Sequence, residues 1–237
     1  MSAKYKSPSF LLPNELNTNT NPLNTDGNPA TGTGINSLYS MNFDGVDGIL
    51  DLGSEVLFDS TKGFSFSAWC KLNDYSPQYP AIIKLKTDQI NYFIIFLSQT
   101  PQYTGVNIGS PSGFMRAKTE GDISGDFINT WKHVCVTFDG VNRNNSSSYK
   151  IFVDGSSINL TTANNFASGN NENTLGFGAN TLAYFDGKID EVAIFDEALT
   201  PDQIKFDLYE ATTTGKTADI ANNPNLPTPL AWYRMGD

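Results

Sequence analysis

The side chains able to do chemistry are few, and their spacing argues against catalysis. The run richest in carboxylates is KIDEVAIFDE, residues 188–197. A retaining glycoside hydrolase needs two carboxyl groups about 5 Å apart on one face. Asp190 and Glu191 are adjacent, and adjacent strand residues point to opposite faces. The single histidine, His133, lies inside the alternating run WKHVCVTF. It is expected to sit in a strand rather than beside a nucleophile. No G-x-S-x-G, HExxH, P-loop or dinucleotide fingerprint occurs. The expected catalytic set is therefore empty.

Binding chemistry is better represented. A sugar site usually presents an exposed aromatic platform with amide and carboxylate groups nearby. The segment NDYSPQYP supplies Asn73, Asp74, Tyr75, Gln78 and Tyr79, and QTPQY adds Tyr103. An ordinary polar loop has the same composition, so this set stands as an expectation with that alternative open.

These residues need a scaffold. The chain of 237 residues is long enough for one large all-β domain. It can bury a core without metal or disulfide staples. A formal net charge of −10 repels phosphate backbones, so no nucleic-acid partner is expected. The same charge keeps a crowded protein soluble. Cys70 and Cys135 fit no zinc spacing and read as buried free thiols, with one cross-strand bridge as the alternative. No run approaches the ~18 apolar residues that span a bilayer, so no membrane insertion is expected. The first residues lack the apolar core of a secretory leader.

Residues 1–34 are polar, Asn/Thr-rich and punctuated by proline. They read as an extended N-terminal arm, with Phe10, Leu11 and Leu12 as an assembly anchor. Strand patterning starts near Ser37. In FSFSAWCKL, residues 64–72, Phe64, Phe66, Ala68, Cys70 and Leu72 share one face. WKHVCVTFDG and YKIFVDG read as a hairpin. Thr200-Pro201-Asp202-Gln203 has the order of a helix N-cap, a first-turn proline and a capping-box glutamine. Ile204 and Leu208 then share a helix face. Many short strands with one late helix predict two packed sheets. NNPNLPTP, residues 222–229, reads as a stiff extended spacer that delivers a final strand, LAWYRMGD.

Four segments carry a resemblance: NFDGVDGILDLG, FSFSAWCKL, WKHVCVTFDG…YKIFVDG and FDGKIDEVAIFDEAL. Together, and in this order, they resemble the laminin G-like domain of the concanavalin A-like lectin and glucanase superfamily. The resemblance implies an all-β, antiparallel two-sheet jelly-roll sandwich over residues 35–212, with one short C-terminal helix. It also implies that Gly45, Gly140, Gly155 and Gly187 follow aspartates at tight turns.

Relatives of this fold often bind calcium at the sandwich rim, and Asp44, Asp47, Asp186 and Asp190 lie in the matching segments. Oxygen ligands from turn aspartates suit a structural Ca²⁺; capping of the turns by the same aspartates is the alternative. On strict alternation Asp190 shares a face with Val192 and Ile194, where a carboxylate needs a cation or donors. The family often opens with a strand absent from the N-terminal arm. The C-terminal segment resembles it, so residues 213–237 are expected to complete the sandwich or to swap into a neighbour, with Leu230, Trp232 and Tyr233 as the contacts.

The resulting expectation is a non-catalytic virion structural or surface protein, such as a capsid decoration, fibre or tail-associated module. Its partners would be further copies of itself, other virion proteins and a cell-surface glycan, and its location a virion or extracellular surface. A carbohydrate-binding or adhesion module of a bacterial surface protein is the alternative. A glycoside hydrolase ranks below both.

Overall fold

The computed structural model describes residues 9–10, 40–52, 62–75, 79–86, 92–99, 105–109, 116–142, 145–162, 174–176, 184–212 and 219–234. Leu11, Leu12, Gln78 and Tyr103 lie outside this set, as does the side chain of Phe10. In chain order the strands are β1 (Ser9–Phe10), β2 (Met41–Asp44), β3 (Leu50–Asp51), β4 (Phe64–Leu72) and β5 (Ala81–Lys86). Then come β6 (Tyr92–Ser98), β7 (Gly105–Gly109), β8 (Arg116–Thr119), β9 (Lys132–Phe138) and β10 (Tyr149–Val153). β11 (Ser156–Ile158), β12 (Leu160–Thr162), β13 (Thr174–Leu175), β14 (Asp186–Phe195) and β15 (Ala231–Tyr233) complete the series.

They form two antiparallel sheets. The first has the order β1-β2-β14-β4-β9-β10-β11, with β15 also on β14. The second has the order β12-β8-β7-β6-β5-β13-β3. These are the two packed sheets that the patterning predicts, in the concanavalin A-like jelly-roll form that the resemblance implies.

The main core lies between the sheets. Phe64, Phe66, Ala68, Cys70 and Leu72 of β4 face it, with Ile83, Leu85, Ile95, Leu97, Val106, Ile108, Val134, Val136 and Ile151. Burying one such side chain stabilises by roughly 1.5–3 kcal/mol. A second cluster covers the outer face of the first sheet. There Cys135, Phe152, Ala193 and Phe195 pack with Leu199, Ile204, Leu208, Ile220 and Leu226. Burial on both faces explains why β4 is buried at every position except Lys71. Cys70 and Cys135 fall in different clusters and are free thiols.

The late helix makes this cover. Thr200 N–H donates to Gln203 Oε1 at 2.8 Å, and Gln203 N–H donates back to Thr200 Oγ1 at 3.3 Å. The capping box is therefore formed. The helix is described over 201–212, with wide π-helical turns at Gln203–Tyr209.

Two expectations fail at β14. Its register against β4 moves from Asp190↔Trp69 to Ala193↔Ser67, so β14 carries one extra residue there. This bulge, with Glu191 at φ +48°, interrupts the alternation. Asp190 consequently shares the outer face with Trp69, not the core face of Val192 and Ile194. Gly187 is likewise not in a turn. It pairs with Phe43 and Leu72 inside β14, at φ +150°, where a Cβ would run into the Lys71 carbonyl.

The proline-rich spacer is turned, not extended. Ile220 and Leu226 are buried in the outer cluster. Asn223 Nδ2 and Asn225 Nδ2 both donate to Asp207 Oδ1 on the helix, at 3.1 and 3.0 Å. The spacer leads into β15, which pairs with Val192–Ile194 of its own chain, while β2 pairs with Asp186–Ile189. Both run antiparallel to β14, so together they make one interrupted strand along a single edge.

Candidate functional site

The structure joins two groups of residues that the sequence keeps apart. Asp186 opens β14 beside Asp44, the last residue of β2. Asn73, just after β4, donates its backbone N–H to the Asp186 carbonyl at 2.8 Å and its Nδ2 to Asp186 Oδ1 at 2.9 Å. Asn73 and Asp74 of the expected sugar-binding loop and three of the expected calcium aspartates, Asp44, Asp47 and Asp186, therefore share one rim of the sandwich. Gly45 makes the approach possible. At φ +72° its missing side chain leaves room for Asp186, whose Cβ would lie 2.8 Å from an added Cβ. Asp44, Asp47, Asn73 and Asp74 are exposed and Asp186 is half-buried.

These carboxylates are not equivalent. Asp44 Oδ1 accepts the N–H groups of Val46, Asp47 and Gly48 at 2.9, 3.1 and 3.0 Å. Those bonds, Val46 first, hold its carboxyl below the usual value of 3.8. Asp44 is thus the cap of its own turn. Asp190 is fully buried on the outer face, and its Oδ1 accepts the Glu191 N–H at 2.8 Å. Among the described residues no group of three or more His, Cys, Asp or Glu comes together to hold a metal ion. Among the described residues the four aspartates do not gather at one point: Asp190 is buried on the outer face, apart from the rim that holds Asp44, Asp47 and Asp186.

Tyr75 corrects the sugar-binding set. It is 3% exposed, packs in the main core and donates its hydroxyl to the Ser124 carbonyl at 2.7 Å. It anchors the rim loop from below and offers no platform. Burial pushes its phenol well up. Tyr79 is half-buried and meets Phe96 edge-on, with centroids 6.1 Å apart.

The serine–histidine pair among the described residues is buried. Ser67 Oγ lies 2.8 Å from His133 Nε2, and the residues are 3% and 1% exposed. His133 Nδ1 has no hydrogen-bond partner among the described residues, so no carboxylate orients it. Trp69 and Tyr209 flank the ring at 5.4 and 6.0 Å. Burial pushes the His133 pKa down from 6.5 to about 3, which leaves it neutral.

Glu191 is the residue that strand alternation misses. It is 7% exposed, accepts Trp232 Nε1–H at 2.7 Å and lies 3.9 Å from Arg234 Nε. Only the bulge and the terminal strand bring these groups together.

Comparison with known proteins agrees with the geometry. A laminin G-like family model, described as the concanavalin A-like lectin/glucanases superfamily, matches residues 44–205. The chain belongs to this superfamily. No curated protein matches the sequence. Among solved structures, a protein of Bacteroides ovatus proposed to bind carbohydrate shares 16% identity at a TM-score of 0.53. That match covers 86% of this chain and 53% of the other. A Trypanosoma rangeli sialidase matches at 11% identity and TM-score 0.51, over 76% of this chain and 28% of its own. A heptameric SAP-like pentraxin of Limulus polyphemus matches at 14% identity and TM-score 0.49, covering 83% and 88%. The superfamily member thus spans about half of the Bacteroides ovatus protein and under a third of the sialidase. At these identities the likeness is one of fold.

Proposed function

We propose that the protein is a non-catalytic glycan-binding module displayed on a virion or extracellular surface. The observation that carries this reading is the shared rim, where Asn73, Asp74, Asp47 and Asp186 stand at one end of a lectin-type sandwich. Sugar hydroxyls donate to carboxylates and exchange hydrogen bonds with an amide, and polar rim groups of this kind give such contacts direction. The carbohydrate binding proposed for the Bacteroides ovatus protein, on a similar fold, supports the same class of ligand. The buried acids Asp190 and Glu191 and the buried Ser67–His133 pair support a non-catalytic role, because none of them opens on solvent. The acidic charge suits a setting in which many copies stand close together.

A glycan array probed with the full chain tests the reading. Binding to a defined set of glycans, lost in Asn73→Ala/Asp186→Ala without a lower melting temperature, is the expected result. No binding to any glycan, or binding indifferent to both substitutions, contradicts it. Release of reducing sugar from a bound glycan would favour the hydrolase instead.

A further inference from the structure

We propose that the seat of β15 is a strand-acceptor site that takes residues 219–234 from a second copy of this chain, exchanged reciprocally between two copies. This inference is independent of glycan binding.

The seat is built around its occupant. β14 offers one edge to two strands in succession, and the bulge at Asp190–Ala193 separates them. On that edge Leu230 N–H donates to the Ile194 carbonyl at 2.7 Å, and Ala231, Trp232 and Tyr233 pair with Ile194, Ala193 and Val192. Ala231 and Tyr233 pack against the main core, while Trp232 packs in the outer cluster. Glu191 is buried at positive φ, and the terminal segment supplies the indole N–H and the guanidinium described above. The Arg234 guanidinium also lies 5.1 Å over the Trp232 ring. An empty seat would take the Trp232 indole N–H and the Arg234 guanidinium away from the buried Glu191 and leave an open strand edge along Val192–Ile194.

Apart from the stacking of Arg234 on Trp232, which lies within the segment, these contacts join the body to residues 219–234. The covalent tie between helix and donated segment is the short sequence TTGKTA, residues 213–218. A second copy presents the same seat and the same segment, so reciprocal exchange keeps all the contacts and leaves no seat empty. It closes a two-fold dimer and is driven by concentration. The cover helix and the donated segment each carry a large exposed apolar side chain, Phe206 and Leu230, both 51% exposed. A dimer built by exchange can bury these in its new contact.

The test uses full-length chains. Copies carrying Ile194→Cys alone are mixed with copies carrying Ala231→Cys alone, concentrated, warmed towards the melting temperature, cooled and oxidised. Cys70 and Cys135 are buried. The expected product is a covalent dimer linked between positions 194 and 231, with a yield that rises with concentration. The chain carrying both substitutions shows whether the pair can close. If it closes within one chain while the mixture stays monomeric, the proposal is overturned. Light scattering on the unsubstituted chain after the same treatment gives an independent reading. A dimer supports exchange, and monomer alone at every concentration overturns it.

Discussion

Individual side chains in this sandwich have roles that their types alone do not announce. Tyr75 has the chemistry of a sugar platform, yet its ring fills the core and its hydroxyl holds the Ser124 carbonyl. Tyr75→Phe leaves that buried acceptor without its donor. We expect a loss of about 1–2 kcal/mol in urea unfolding, with glycan affinity unchanged. His133 makes a pH prediction. Folded, it stays neutral down to about 3; unfolded, it takes up a proton at its ordinary 6.5. The unfolded state therefore binds more protons between those values. Stability is full above 6.5 and falls as pH drops towards 3, at up to about 1.4 kcal/mol per pH unit. Asp44 acts in a lower window. Its folded carboxyl is held below 3.8, so its contribution is present above that value and is lost only as pH falls through the lower folded value. Between 6.5 and 3.8 the histidine contributes to the slope, and unfolding curves of His133→Gln should be flatter there.

Elements follow from the sequence to the extent that their causes are local. The β4 strand, the β9–β10 hairpin and the Thr200–Gln203 box are legible because alternation and capping act within a few residues. Thr200→Ala should cost about 1 kcal/mol in thermal or urea unfolding through loss of that cap. The β14 bulge is not legible. The letters of DEVAIF alternate acceptably in either register, and the choice is settled by β4 on one side and by Trp232 and Arg234 on the other. The spacer misleads for a related reason. Its prolines suggest extension, but Asp207 on the helix collects Asn223 and Asn225 and turns the chain. The rim is half legible. Asn73 and Asp186 are visible as polar loop residues, but their contact depends on the close approach at Gly45. Trp232→Ala should be costly for an element of three residues. It removes a packed indole and the donor to Glu191, a loss of about 3 kcal/mol, read as a lower urea midpoint at unchanged slope.

At the scale of the whole molecule, one face of the sandwich is closed and one end is presented. The helix and the terminal segment cover the outer side of the first sheet, and Asp190, Glu191 and His133 are buried there. Among the described residues no helix is long and apolar enough to cross a membrane. The rim brings Asp44, Asp47, Asn73, Asp74 and Asp186 to one end, and Asp44 is already committed to its own turn. Among the described residues these carboxylates do not gather as one group, and the expected result is that chelator leaves the melting temperature unchanged. The most direct measurement is titration calorimetry of the full chain with the best glycan from the array, compared with Asn73→Ala/Asp186→Ala at equal melting temperature. The account predicts at least a tenfold loss of affinity in the variant; equal affinity would place the sugar elsewhere and contradict it.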